Sequence, residues 1–260
     1  MERNFLLTIE YDGSCFSGWQ RQPEIRTVQG ELERVLSKVC GGKVEINGTS
    51  RTDAGVHALG QRASFCGEYG IPTDRIMTAA NNHLFGGRRL GAALGDVRIT
   101  TLEEKPMGFH ARFDSKGKKY RYVIQNGGTA NLFRRNYCYY VPENLSADDM
   151  RIAAGYIEGV HDFACFQSSG GQPRETTVRT IHGLTISEHV NSQGERDIII
   201  EITGDGFLYN MVRIITGTLV EVGLGKKTPE QVHDIIDSKQ RSRAGHTAPP
   251  QGLYLVEVYY

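Results

Sequence analysis

One feature constrains the fold of this chain more than any other: the order of strand-like and helix-like segments in the first half returns in the second. In the first half, the apolar pattern predicts strands at 5–11, 44–48, 61–66 and 97–102, and helices at 28–39 and 73–84. In the second half, it predicts strands at 119–125, 178–188, 197–203 and 253–259, and helices at 147–158, 208–222 and 229–238. Apart from the extra helix at 229–238, each half therefore reads β-α-β-β-α-β, the order of ferredoxin-like and RRM-like units.

This repeat predicts an α+β protein whose two halves, 1–105 and 106–260, join their strands in one mixed sheet with a central cleft. A proline and a glycine near residue 106 mark the boundary between the halves. Thr27 and Ser146 are expected to cap the helices that follow them. Thr228 followed by Pro229 fits an N-cap with proline at the first helical position.

Composition and motifs exclude several classes of protein. Hydrophobic residues make up 39% of the 260, enough for a core, but no apolar stretch is long enough to span a bilayer. The five cysteines have no CxxC spacing, and the eight histidines form no HExxH pair. No dinucleotide-binding or P-loop motif is present. With no signal peptide at the N-terminus, the sequence predicts a cytoplasmic protein without metal, cofactor or disulfide framework.

Charge is segregated along the chain although the formal net charge is zero. Between residues 105 and 135, Asp114 is the one acid among eight basic residues: Lys105, Arg112, Lys116, Lys118, Lys119, Arg121, Arg134 and Arg135. Such a segment suits a surface that follows RNA phosphates. The alternative is a solvated face with no partner.

The polar loop GTSRTDAGVHA, residues 48–58, is the most unusual segment. Its small residues let the backbone approach a ligand closely, so that Asp53 could direct its carboxylate into a cleft. The alternative is an Asx-turn, in which Asp53 bonds only to its own backbone.

Two further segments carry candidate residues. Arg213 lies inside a very apolar helix, where a buried arginine needs a partner such as Asp53; the alternative is that its long side chain reaches solvent. The strand KKYRY at 118–122 alternates cations with Tyr120 and Tyr122. That alternation is typical of strands that stack bases and bind phosphates, and packing of the two tyrosines across strands is the alternative.

With these residues assembled, the chain resembles the TruA family of tRNA pseudouridine synthases nearly from end to end. The loop SRTDAGVHA looks like the catalytic loop of the family, in which glycine is commoner than Ser50. The other matching segments follow in family order, at 9–20, 109–113, 118–122, 161–163, 177–181, 207–217 and 247–253.

The resemblance implies a homodimer that isomerises uridines at positions 38, 39 and 40 in the anticodon stem-loop of tRNAs, without metal or cofactor. Asp53 matches the catalytic aspartate, and Arg213 matches the arginine paired with it. Tyr120 matches the tyrosine that packs on the target uracil, and Arg51 the residue that replaces the flipped base. Arg112, Lys116, Lys118, Lys119 and Arg121 are expected to contact RNA.

Elementary chemistry agrees with these roles. The reaction breaks the bond from ribose C1′ to uracil N1 and joins C1′ to C5, with no added group. A uracil in a stem must first be flipped out, and a carboxylate can then act as nucleophile. Attack of Asp53 on C1′, attack on C6 and proton abstraction all stay open. A non-catalytic pair of RRM-like units and a metal-free small-molecule enzyme are the competing classes.

Overall fold

The computed structural model describes residues 2–85, 95–170, 175–192 and 194–260. The chain forms two compact units. The first comprises Met1–Lys116 and Leu255–Tyr260, and the second comprises Gly117–Tyr254. Within these described residues, ten strands with antiparallel and parallel pairing and five α-helices confirm the predicted α+β class.

The first unit contains β1 (Arg3–Tyr11), α1 (Val28–Cys40), β2 (Asn47–Gly48), β3 (His57–Gly67), α2 (Thr73–Leu84) and β4 (Val97–Lys105). β1 lies antiparallel between β3 and β4, and β2 pairs with β3. Phe5 and Phe65 face each other in this register and stack at 4.9 Å between ring centroids. On the other side of β3 lies β10 (Leu253–Tyr259). A side chain at Gly60 would come within 2.3 Å of the Val256 carbonyl there.

The described part of the second unit contains three α-helices and five further strands. They are β5 (Gly117–Asn126), β6 (Tyr139–Val141), α3 (Ala147–Gly155), β7 (Gly159–Asp162), β8 (Val178–Val190), β9 (Arg196–Gly204), α4 (Met211–Gly223) and α5 (Gln231–Ser238). Four strands follow the order β5-β9-β8-β7, all antiparallel, and β6 pairs parallel with β5.

The predicted helix caps are present. The side chain of Thr27 accepts a hydrogen bond from Gly30 N, and that of Ser146 accepts one from Asp149 N. Thr228 and Gln231 form a reciprocal capping box, with Thr228 N donating to Gln231 Oε1 and Gln231 N to Thr228 Oγ1. α5 itself begins at Gln231, two residues later than predicted, because its first turn is of the tighter 3-10 kind.

The strand predicted at 44–48 is wrong over most of its length, since only Asn47 and Gly48 pair with β3. The reason lies in α1, whose side chains occupy the backbone donors of this segment. Val44 N donates to Ser37 Oγ, and Ile46 N donates to Glu33 Oε1. The short strands β6 and β7 had not been predicted. No helix in the described ranges is long and apolar enough to cross a membrane.

Candidate active site

The loop that carries Asp53, residues 49–56, connects β2 to β3 and is fixed through its backbone. The fully buried amide of Gln61 donates to Ser50 O at 2.7 Å and accepts from Ser50 N at 3.3 Å. Thr49 N donates to Arg62 O at 2.8 Å. The partners in these bonds, Gln61 and Arg62, lie on β3. The sheet therefore determines the course of the loop up to Arg51.

The middle of the loop is held by the last residue of β1 and by the segment that follows it. Tyr11 and Thr52 share a hydrogen bond of 2.7 Å between hydroxyls, and Trp19 N donates to Thr52 O at 3.0 Å. Gly18 lies so close that a side chain there would meet Thr52 O at 2.7 Å. Its φ of 85° is also one that glycine adopts without strain.

The residues of the Asp53 loop fall into two groups, which differ in burial. Thr49, Ser50 and Thr52 are buried, whereas Arg51 is exposed and Asp53 is half-buried. Val56 N donates to Asp53 O at 3.2 Å and closes the turn. The backbone is thus preorganised, while Arg51 and Asp53 keep part of their surface in solvent.

In the second unit, Arg213 on α4 is held at the end of its side chain. Its Nε donates to Ala248 O at 2.7 Å, and one terminal nitrogen donates to Asn210 Oδ1 at 2.9 Å. Asn210 occupies the left-handed region with a φ of 60°, which asparagine tolerates better than most residues. Arg213 is half-buried. Its pairing with Asp53 stays a prediction.

Ala248 belongs to a segment, residues 245–249, that α4 holds in place. Gly245 N donates to Thr218 Oγ1 at 2.9 Å, and His246 N donates to Glu221 Oε1 at 3.0 Å. Gly217 makes the close approach possible, because a side chain there would lie 1.9 Å from His246 O. This support had not been predicted, although Gly217 between Thr216 and Thr218 in an apolar helix was a sequence signal for it.

Two titratable groups stabilise the 245–249 segment. Burial alone would raise the pKa of Glu221, but hydrogen bonds from the backbone and ring of His246 hold that pKa below its usual value. Burial raises the pKa of Tyr122 well above its usual value, so the phenol keeps its proton. Tyr122 donates that proton to Pro249 O at 2.6 Å. The carbonyl that binds Arg213 is therefore anchored from both sides.

Tyr120 and Tyr122 share one face of β5, and both are buried. The ring of Tyr120 meets Phe207 edge-on at 5.1 Å and 84°. On the opposite face, Lys119 and Arg121 both bind Glu201 of β9, at 2.7 and 2.8 Å. Part of the basic character of this strand is therefore neutralised within the protein.

The remaining basic candidates lie outside this ion-paired group. Arg112 is half-buried beside Phe113, and Lys116 is exposed. Lys118 lies at the start of β5, opposite Gly204. Their contacts with RNA stay predictions. In the parts of the chain that the structure describes, no group of three or more His, Cys, Asp or Glu side chains is placed to hold a metal ion.

Comparison with known families identifies the class of protein to which this chain belongs. Residues 7–114 and 153–260 match the family described as tRNA pseudouridine synthase, and the match includes both the Asp53 loop and Arg213. The chain belongs to this family, whose members are isomerases. The predicted resemblance and the predicted enzyme class are thus confirmed.

Individual relatives are similar over their whole length. A protein of Acetivibrio thermocellus named tRNA pseudouridine synthase A is 46% identical over 99% of this chain and 100% of its own. One of the same name from Ruminiclostridium cellulolyticum is 47% identical with the same coverage. A protein of Clostridium tetani named tRNA pseudouridine synthase A 2 is 44% identical over 100% of both chains.

Proposed function

We propose that this chain isomerises uridine to pseudouridine at positions 38, 39 and 40 of the tRNA anticodon stem-loop, with Asp53 as the nucleophile. One observation carries the proposal. The backbone of the Asp53 loop is fixed by buried groups, whereas Arg51 is exposed and Asp53 is partly exposed. A fixed backbone with accessible reactive groups is the arrangement that a site needs to act on a large substrate.

The proposed chemistry requires one carboxylate and a proton acceptor. After the target nucleotide is flipped out, Asp53 assists the departure of uracil N1 from ribose C1′. The base rotates, C5 forms the new bond to C1′, and the hydrogen of C5 is lost as a proton. A proton on N1 completes an isomer of the starting uridine, so no oxidant or reductant is consumed.

The other candidate residues have separate tasks in this proposal. Arg51, exposed beside Asp53, fills the gap left by the flipped base. Tyr120 presents its ring to the uracil, and its packing against Phe207 restricts the orientations of that ring. Arg213 supplies a directed cation, because its guanidinium is already bound by Ala248 O and Asn210.

The assembly state and the location belong to the same proposal. The family resemblance supports a homodimer acting in the cytoplasm, where tRNA is matured. Sedimentation equilibrium of the purified chain tests the dimer directly. A monomer at the concentrations used for activity measurements would contradict that part.

The test of the proposed function is tritium release from tRNA transcripts labelled at C5 of uridine. We expect release from a transcript that has uridines at positions 38, 39 and 40, and none when those three are cytidine. Asp53→Asn should abolish release and leave tRNA affinity nearly unchanged, since Asp53 acts on the nucleoside and not on phosphate. The matched control is Asp74→Asn, an exposed aspartate on α2 of the same unit.

Substantial activity of a rigorously purified Asp53→Asn enzyme would contradict the assigned role. Tight tRNA binding by the wild-type chain without any tritium release would favour the class of non-catalytic RNA-binding modules.

A further inference from the structure

Phe113 stands out in the first unit because a large aromatic side chain is 74% exposed. It lies in the Phe113 turn, residues 106–116, between β4 and β5. The backbone of this turn is anchored: the amide of the buried Asn4 donates to Pro106 O at 2.9 Å and to Phe109 O at 2.8 Å. Ala111 N donates to Ser64 Oγ at 3.1 Å. The exposure of Phe113 is therefore set by a fixed backbone.

His110 supports the ring of Phe113. The Nδ1 atom of His110 accepts from Arg112 N at 3.1 Å and from Phe113 N at 3.4 Å. These bonds assign the acceptor role to Nδ1 and orient the imidazole. The two ring centroids are 4.3 Å apart with an interplanar angle of 33°. Asp114 completes the turn, because its carboxylate accepts from His110 N at 2.7 Å.

A rigid exposed aromatic side chain adds little to the stability of a fold, since its apolar surface stays in water. It is suited to binding, because little conformational entropy is lost when a partner stacks on it. The surroundings specify the partner. Arg112 lies 5.7 Å from the Phe113 ring centroid, and the exposed Lys116 follows three residues later. An aromatic ring beside cations is the combination that binds unpaired bases and their phosphates.

The Phe113 turn is also hydrogen-bonded to the Asp53 loop within the same unit. Thr49 Oγ1 donates to Ala111 O at 3.0 Å, and Tyr260 OH donates to the same carbonyl at 2.9 Å. Ala111 is two residues from Phe113, and Thr49 is four residues from Asp53. The Phe113 turn and the Asp53 loop are thus bonded neighbours in one unit, which favours their contact with the same RNA.

We propose that Phe113 is a stacking platform for an unpaired nucleobase of the substrate RNA, other than the uridine that reacts. This inference rests on the proposed function, because it takes RNA as the substrate. The platform comprises Phe113 with His110 beneath its ring and Arg112 at its side. It contributes to RNA binding and orientation and takes no part in bond breaking.

The first experiment uses tryptophan fluorescence. The chain has one tryptophan, Trp19, which is 2% exposed. In Phe113→Trp, a second indole at the platform should be quenched by iodide, protected from iodide by tRNA, and lowered in emission when a base stacks on it. The control is Ile152→Trp, at a 53% exposed position on α3, whose first turn carries Asp148 and Asp149. Emission from the control should not respond to tRNA.

The second experiment measures affinity and turnover. Phe113→Leu keeps an apolar side chain but removes the π-face, so the Kd for tRNA should rise by roughly 5- to 150-fold, the range that base–aromatic stacking supplies. KM should rise with Kd while kcat stays near wild type. Phe113→Trp should retain wild-type affinity, and Ile152→Ala is the control for loss of exposed apolar surface.

Wild-type Kd and KM in Phe113→Leu, with an unresponsive Phe113→Trp, would overturn the inference. A change in sedimentation of Phe113→Leu with unchanged RNA binding would overturn it too, and would assign Phe113 to a contact between protein copies. Failure of the proposed function looks different: the wild-type chain would then release no tritium at all.

Discussion

The Asp53 loop and the α4 helix hold their candidate catalytic residues in opposite ways. In the loop, the bonds from Tyr11 and Trp19 end on Thr52, next to Asp53, and those from Gln61 end on the backbone of Ser50. In α4, the helix already fixes the backbone, and the hydrogen bonds end on the guanidinium of Arg213 itself. The main chain of an irregular segment must be fixed by hydrogen bonds from other residues. In a helix, only the end of a long side chain requires such bonds.

This difference predicts whether a variant at each site loses stability, activity or both. Loosening the Asp53 loop should affect stability and activity together, because buried backbone groups lose their partners. Removing the hydrogen bonds to the guanidinium of Arg213 should reduce activity with less change in stability, because α4 persists without these bonds.

The largest effect in the second unit should come from Arg213 itself. Arg213→Ala removes a directed cation, and we expect kcat to fall by roughly 100-fold or more, as it does when a single stabilising donor is deleted from an active site. Arg213→Lys keeps the charge but loses the Nε donor to Ala248 O and the planar fork, so partial activity is expected. Single-turnover tritium release measures both variants. Full activity of the lysine variant would show that holding the guanidinium is unimportant.

Gln61→Leu should combine a loss of stability with a loss of activity. Ser50 N and Ser50 O would be left buried without their partner, which costs about 1–3 kcal/mol for each group. Denaturant unfolding measures this loss, and kcat at a temperature where the protein stays folded measures the effect on the loop.

Gln125→Leu is a matched control for Gln61→Leu. Gln125 is also buried, and its amide also bridges a loop: it donates to Thr129 O at 3.0 Å and accepts from Asn131 N at 3.1 Å. This variant should lose comparable stability and keep its turnover. Equal loss of turnover in both variants would mean that global stability, and not the position of the Asp53 loop, determines activity.

A smaller effect concerns pH and Glu221. Because its pKa in the folded protein lies below the ordinary value of 4.5, Glu221 contributes stability that is complete above about pH 4.5 and is lost as the pH falls through the lower, folded pKa. Thermal melts of wild type and Glu221→Gln should therefore differ at neutral pH and converge in acid. A difference that grows below pH 4.5 would contradict the role of Glu221 as an anchor of the 245–249 segment.

The smallest effect concerns salt. Lys116→Ala should reduce the slope of log Kd against log salt by about 0.9 or less, the contribution of one phosphate contact. Glu201→Gln should act in the opposite direction and tighten tRNA binding at low salt, because it releases Lys119 and Arg121 from an internal carboxylate. Salt titrations of tRNA binding measure the effect of Lys116→Ala and of Glu201→Gln. An unchanged slope in Lys116→Ala would place this lysine outside the RNA-binding surface.

Sequence reasoning predicted the elements whose pattern is local. α2 and β10 have the predicted bounds, and α1 differs by one residue, because amphipathic periodicity and caps are written in the segment itself. It failed where the partner of a backbone group is distant in sequence. The backbone of Val44–Ile46 bonds to side chains of α1, so an apolar segment that looks like a strand remains irregular.

The same limit applies to the candidate site. Asp53 and Arg213 could be singled out because a carboxylate among small residues and a cation in an apolar helix are unusual in themselves. The groups that hold Asp53 and Arg213 in position could not be singled out from the sequence. Nothing in the sequence around Gln61 or Ala248 shows that they bond to residues 11 and 35 positions away. The exposure of Phe113 is likewise a property of the anchored turn and not of its local sequence.

The place of β10 in the first unit has a consequence for synthesis on the ribosome. β3 lies between β1 and β10, and residues 255–260 complete the first unit, where Tyr260 binds Thr49 and Ala111. All of residues 117–254 emerge before this segment does. Until then, the part of this β3 edge that β2 does not pair with at Ala63 and Ser64 is open and can recruit strands from other chains. The unit that begins first is thus completed after the other, and β10 protects that edge of β3 once residues 255–259 have been synthesised.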